Sequence, residues 1–233
     1  MHPLICIEVA KTILITGTSR GIGHALVQAA AKEGHRVFAL SRNIESFSKA
    51  SNIEPLAVAI TNPNSIAEIA ARFQKENITL DALINNAGAL VNKAFDQTLP
   101  SDFEHVYQVN VFGLANLTRL LLPFINPQGH VVNISSMGGL ERTAKFPGLA
   151  AYSSSKAAVN ILTELLAEEY KNTGPAFNAL ALGAVQTEML SEAFPGFQAP
   201  QTPKEIAAHI LQFALEGQQF FNGKIIPLAN TTP

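Results

Sequence analysis

From Lys11 onward, short apolar runs rich in Ile, Val, Leu and Phe alternate with longer segments in which apolar positions recur three and four residues apart. The short runs are too uniformly apolar for a strand with one wet face, and the longer ones carry the stripe of an amphipathic helix. The pattern predicts strands near residues 11–16, 36–41, 55–60, 81–85, 129–134, 177–182 and 223–228. Helices are predicted near 22–33, 64–76, 102–124, 152–171 and 203–215. Asn64 or Ser65, Ser101 with Glu104 three residues on, and Pro203 after Thr202 supply helix starts. Strict alternation of the two element types means an α/β doubly wound parallel sheet, about seven strands flanked by helices on both faces.

With 233 residues and 47% apolar content, no low-complexity linker and no internal repeat, residues 1–233 read as one domain. Sixteen Lys plus Arg against 18 Asp plus Glu give a net charge of -2, without a run of like charges. A nucleic-acid or anionic-membrane partner is therefore not expected. Cys6 is the single cysteine, so no intrachain disulfide forms, and the first residues lack the basic flank and apolar run of a secretory leader. No apolar run approaches the roughly 20 residues that span a bilayer. Cytoplasmic residence follows as the expectation.

Candidate chemistry falls at the ends of the predicted strands. After the first comes Thr16-Gly17-Thr18-Ser19-Arg20-Gly21-Ile22-Gly23, a glycine-rich turn opening a helix, where backbone N–H groups can approach an anion. The second ends in Ser41-Arg42, where an NAD site would carry an acidic residue for the ribose diol. Arg42 and Arg20 could instead bracket a 2′-phosphate, which points to NADP. The fourth ends in Asn85-Asn86-Ala87-Gly88, small residues at the edge where open α/β sheets bind ligands. Asn110 stands in mid-helix, where Asn is unfavourable. It serves either as an amide satisfied between helix and strand or as a local opening that holds a water. Ser135-Ser136 end the fifth strand and can donate to a substrate carbonyl. Tyr152 and Lys156 lie four apart, on one face of a helix, where an ammonium would favour the phenolate and ready the pair for acid/base work. No metal site is indicated.

Each motif alone is weak, but together and in this order they resemble the short-chain dehydrogenase/reductase family, over about Lys11 to Met189. The resemblance implies a Rossmann fold and an NADP(H)-dependent oxidoreductase that interconverts a carbonyl and a secondary alcohol. It implies Tyr152 as the proton donor in reduction and Lys156 as the group that depresses its pKa and binds the nicotinamide ribose. Ser136 would orient the carbonyl, with Ser135 in reserve, and Asn110 would hold a proton-relaying water. The cofactor would meet Gly17, Ser19, Arg20, Gly21, Ile22, Gly23, Arg42, Ile60, Asn86, Ala87, Gly88, Tyr152, Lys156, Gly183, Val185 and Thr187. A homodimer or homotetramer is also implied, with a small-molecule substrate.

Four departures from the family pattern bear on particular roles. The spacing from Ser136 to Tyr152 is about three residues longer than usual, which should reshape the substrate mouth. Ala59 replaces a common adenine-contacting Asp, leaving adenine to the backbone near Ile60. Leu182 stands where Pro usually precedes Gly183, which predicts a more mobile loop. The tail around Phe220 to Leu228 lacks the usual closing Gly-Gly. Glu188 to Ala199, with Phe194, Pro195 and Phe197, forms a short apolar substrate lid, and a catalytically silent NADP(H)-sensing protein of the same fold is the alternative reading.

Overall fold

The computed structural model describes residues 9–47 and 51–229; Cys6 and the outermost ends of the predicted domain lie outside them. Seven parallel strands form one sheet in the order β3-β2-β1-β4-β5-β6-β7. They are β1 (Thr12–Thr16), β2 (Arg36–Ser41), β3 (Ile53–Ala57), β4 (Leu80–Asn85), β5 (Ile125–Ser136), β6 (Ala176–Leu182) and β7 (Lys224–Leu228). The order reverses between β1 and β4, which opens a crevice at their carboxyl ends, where doubly wound sheets bind ligands.

Alternate residues of each strand feed two separate cores. Ile13, Ile15, Val37, Ile84 and Val132 pack under α1 (Gly21–Lys32) and α7 (Pro203–Glu216). Leu14, Phe38, Leu83, Val131 and Phe177 face α2 (Pro63–Glu76), α4 (Leu114–Leu121) and α5 (Ala150–Glu169). Burial on both faces is why the strand interiors are mostly apolar.

Element boundaries differ from expectation where local chemistry intervenes. Helix α2 is capped by Asn62, whose Oδ1 accepts from the N–H groups of Asn64 and Ser65, so neither of those is the cap. The helix α3 (Pro100–Tyr107) starts after Leu99, whose N–H is taken by the Asp102 carboxylate at 2.9 Å, and the predicted Ser101–Glu104 pairing does not form its start. Thr202 and Glu205 do close a reciprocal cap at α7. Strand β3 begins and ends earlier than predicted because Ile53 pairs with Val37, and a turn from Ala59 to Asn62 has begun by Ile60.

The predicted long helix over 102–124 is not continuous. A π-helical segment, Gln108–Gly113, separates α3 from α4, and a 3₁₀ turn with Pro123 ends the run. At Gly113 the turn presses on β3's exit: a Cβ there would lie 2.9 Å from the Ile60 carbonyl oxygen. Leu182 belongs to β6 and pairs with Leu228, and the Gly183 N–H donates to the Leu228 carbonyl at 3.0 Å. Beyond it, Gln186 donates to Gln201 and accepts from the Ala199 N–H. The loop expected to be mobile is thus tied on both sides.

Candidate active site

The glycine turn is built by close approach between the ends of β1 and β4. Gly17 has φ +70°, and a Cβ on it would stand 2.7 Å from the Ala87 Cα. At Gly23 a Cβ would lie 2.2 Å from the Gly17 carbonyl oxygen and 2.5 Å from the Asn86 amide nitrogen. Any larger residue here forces backbone apart. Thr16 locks the same junction, its hydroxyl accepting from the N–H groups of Asn86 and Ala87 at 3.0 and 2.9 Å. Asn86 itself donates to the carbonyls of Thr16 and Gly17, so its side chain supports the turn and does not project toward a ligand.

Helix α1 starts without a side-chain cap and without an acidic residue in its first turn. Its N–H groups and the positive end of its dipole are left for an anion, and the glycines provide the clearance a pyrophosphate needs. The residues present therefore fit a dinucleotide. Of the two arginines, Arg42 is exposed at the end of β2, whereas Arg20 forms a forked pair with Glu192. Glu192 belongs to α6 (Glu188–Ala193), the short helix that the predicted lid segment forms. Ser19 is exposed and Ile22 is half-buried at the start of α1. Thr187, placed by sequence at the nicotinamide, caps α6 with its hydroxyl, and Val185 packs into the core, so Val185 offers only backbone to a ligand.

On the other side of β4, the remaining residues converge. The Met137–Gly139 turn is welded to α5: a Cβ on Gly139 would meet the Ala157 nitrogen at 2.8 Å, and one on Gly138 the Ser153 hydroxyl at 2.8 Å. This sets Ser136 beside Tyr152 despite the longer link, and the Ser136 hydroxyl hydrogen-bonds the phenol. Ser135 turns away to the Lys156 carbonyl in the interior, which removes it as a reserve for Ser136.

Lys156 is buried, and its ammonium donates to the Ile134 carbonyl at 2.7 Å while lying 5.7 Å from the Tyr152 ring centre. Burial pushes the lysine down to about 8. Burial also pushes the Tyr152 phenol up to about 12, with the Ser136 hydrogen bond opposing it. Desolvation dominates the tyrosine's shift in this structure, where the Lys156 ammonium is turned toward the Ile134 carbonyl.

Asn110 sits in the π segment, 1% exposed, with every amide function used. It donates to the Ala89 carbonyl and the Ser155 hydroxyl and accepts from the Ala89 N–H at 2.7 Å. Ser155 passes the link on to the Tyr152 carbonyl. A Cβ on Gly88 would be 3.6 Å from the Asn110 amide oxygen and 3.8 Å from the Lys156 nitrogen, so the end of β4 adjoins both.

Sequence reasoning missed a buried polar ladder under the site. Asn85 donates to Thr118 and to Asn133, and Asn133 donates to Thr163, joining α4, β4, β5 and α5. Its signal was an Asn inside each of two otherwise apolar strand runs. Also missed was Asn92, whose amide reaches the Ala193 carbonyl at the end of the lid helix.

A doubly wound sheet with this constellation at its switch point defines a nucleotide-dependent oxidoreductase fold, and the chain belongs to the short chain dehydrogenase family, whose sequence profile matches residues 11–196. It is 34% identical over 208 residues to the NADPH-dependent pterin aldehyde reductase of Arabidopsis thaliana, covering 83% of this chain and 84% of that protein. It is 29% identical to the 3-oxoacyl-[acyl-carrier-protein] reductase FabG of Thermotoga maritima, covering 93% and 95% of the two chains. Among solved structures, ElxO with NADP bound superposes with a TM-score of 0.82 at 29% identity, over 95% of this chain and 98% of that one. Among the described residues, no helix is long and apolar enough to cross a membrane.

Proposed function

We propose that the protein is an NADP(H)-dependent oxidoreductase that interconverts a carbonyl compound and its secondary alcohol. The observation that carries the reading is the convergence of Ser136, Tyr152 and Lys156 beside an uncapped glycine turn. A bound NADPH would supply the hydride for the carbonyl carbon. The Ser136 hydroxyl accepts from the Gly138 N–H at 3.2 Å and hydrogen-bonds the Tyr152 phenol; with substrate bound, its proton would turn to the carbonyl oxygen and orient it. Tyr152 delivers the proton to that oxygen as it gains charge. Lys156 has further N–H groups beyond the one on Ile134, which would hold the ribose and restore positive charge near the phenolate. Because the Asn110 amide is fully engaged, a relaying water would rest on a peptide carbonyl freed by the π turn.

Substituting Tyr152→Phe removes the acid and is expected to lower kcat about 10²- to 10⁴-fold in a steady-state NADPH assay over a ketone panel. NADPH affinity should stay within a few fold. Binding of NADPH without turnover of any ketone, indifferent to Tyr152→Phe, would leave a nucleotide-sensing protein in place of an enzyme.

NADP preference rests on Arg42, exposed where the adenine ribose would lie, and on Arg20. Arg42→Ala should raise the NADPH dissociation constant roughly 10- to 100-fold and leave NADH unchanged, as for a lost charge-assisted hydrogen bond. Self-association is part of the reading: Phe112, Ile161 and Leu165 are each more than half exposed across the π segment and α5. Sedimentation at micromolar concentration should show a dimer or tetramer, and cytoplasmic residence completes the proposal.

A further inference from the structure

Helix α6 lies across the start of α1 and brings two carboxylates to the glycine turn. Glu192 holds the Arg20 guanidinium in a forked pair, one arm of it 3.1 Å long. At the first residue of α1, a Cβ on Gly21 would stand 3.4 Å from the Thr187 methyl and 3.5 Å from the Glu188 Oε2. Glu188 thus sits beside a helix end that has no side-chain cap and no acidic residue of its own. Both carboxylates favour the charged guanidinium, Glu192 chiefly by its hydrogen bonds and Glu188 through space.

The helix that carries them is loosely seated, since none of its six residues is buried. A hollow of about 700 Å³, whose walls include His24, Ala25, Gln186, Ser191 and Lys204, opens between α6 and the starts of α1 and α7. On that side α6 has room to move. An anion at the start of α1 gains its N–H groups and the positive end of its dipole. The phosphates of a dinucleotide and the two carboxylates are like charges, and they repel when brought to one corner. Arg20 gives both terminal nitrogens to Glu192, and a 2′-phosphate taken end-on needs the same two.

We infer that Glu192 and Glu188 are internal stand-ins for the cofactor phosphates and latch α6 across the glycine turn until NADPH displaces them. The inference rests on the proposed placement of the cofactor, with Arg20 toward the 2′-phosphate and the pyrophosphate at the start of α1, and adds two residues that set its affinity. They act differently. Glu192 opposes only a nucleotide that takes Arg20, so it weakens NADPH and leaves NADH alone. Glu188 faces the pyrophosphate position common to both nucleotides and weakens the two alike. Once both carboxylates are displaced, α6 stays tethered at its far end, where the Asn92 amide holds the Ala193 carbonyl at 2.7 Å and the Phe146 ring packs on Phe194. Exposed charge pairs of this kind change an equilibrium about two- to fivefold.

The test is calorimetric titration of NADPH and NADH into the parent protein, Glu192→Gln, Glu188→Gln, the double variant and the charge-retaining Glu188→Asp. Glu192→Gln should tighten NADPH about twofold and leave NADH unchanged. Glu188→Gln should tighten both about twofold, Glu188→Asp neither, and the double variant should tighten NADPH about fourfold. Added to Arg20→Ala, the Glu192→Gln change should have no further effect. Without nucleotide, hydrogen exchange over residues 188–193 should quicken about threefold in the double variant, as in the parent saturated with NADPH. NADPH binding that is unchanged or weakened in the double variant would overturn the latch. Equal effects of Glu192→Gln on the two nucleotides, or α6 exchange unaltered in the double variant, would do the same. A parent that reduces ketones with NADPH while the variants bind it no better keeps the proposed reduction and loses the latch. NADPH that binds to none of these proteins removes the cofactor placement and the latch together.

Discussion

The two halves of the ligand edge are built on different principles. At the cofactor half, where β1 meets β4, backbone approaches backbone: the space beside Gly17 and Gly23 is already filled by Ala87 and by the glycine turn itself. At the substrate half, the Ser136–Tyr152 link and α6 meet through side chains, several of them exposed, such as Phe146 and Phe197. Glycines here are mixed: Gly139 and Gly148 are close-packed, but around Gly196, at φ +85°, a Cβ would meet nothing within 4 Å. Gly17 and Gly23 tolerate no added atom, whereas the tip of the α6 segment at Gly196 has room for one. The glycine turn is thus shaped by main-chain contact, and the meeting of link and α6 by side chains.

The sharpest way to break this contrast is Gly23→Ala. Its methyl would overlap the Gly17 carbonyl and the Asn86 amide, with an expected loss of about 3 kcal/mol or more. For a chain of this size that lowers Tm by roughly 6 to 12 °C, and thermal melts with NADPH titration would show both stability and binding impaired. Indifference at both would mean the turn has slack.

A site beneath both halves provides a pH reference. His130 in β5 is fully buried, its Nδ1 donating to the Ala214 carbonyl at 3.2 Å and its Nε2 accepting from Asn178 at 2.8 Å. Burial pushes it down to about 4. Between the unfolded value near 6.5 and the folded value, the unfolded chain binds the extra proton, so stability falls as pH drops through that window. The loss is on the order of 3 kcal/mol by pH 4. Urea melts of the parent and His130→Gln across that range should show the acid-dependent slope reduced in the variant.

Gly196→Ala should cost about 1 to 2 kcal/mol from its left-handed backbone alone, with NADPH affinity unchanged. A loss of cofactor binding there would erase the distinction between the halves. The smallest effect belongs to the contact that crosses between them. Glu192→Gln frees Arg20 from its exposed partner, and NADPH affinity measured by fluorescence titration should rise about twofold. A fall would mean that Glu192 organises Arg20 for the nucleotide.

The sheet was legible because strands buried on both faces cannot hide in a sequence; each of the seven lies within a few residues of its predicted span. Glycines were legible for the same reason that they are irreplaceable. What sequence periodicity could not show was the break at Asn110, since the π segment spans only Gln108–Gly113 inside one helical run and carries no proline to mark it. Nor could it show the direction of the Tyr152 shift, because desolvation depends on residues distant in the chain, whereas the Lys156 spacing is local. The caps at Asn62 and Leu99 were displaced because each helix begins at a proline, one position earlier than the polar residues favoured. That the Asn86 amide braces the glycine turn was not legible, because small polar residues at a strand end look alike whether they face a ligand or a neighbouring loop.

The weld between the Met137–Gly139 turn and α5 has a consequence for how such a protein can change. Residues 140–148 leave that helix and return to it within a few residues of the same place, since Thr143 bonds back to Met137 and Ser153 bonds back to Leu149. The excursion is a cassette plugged into a fixed socket. Lengthening a closed surface loop costs little, growing only with the logarithm of its size. Segments of other lengths and sequences can therefore be grafted between Gly139 and Leu149 without altering the relation of Ser136 to Tyr152. New selectivities become reachable by exchange of one contiguous stretch, by drift or by design.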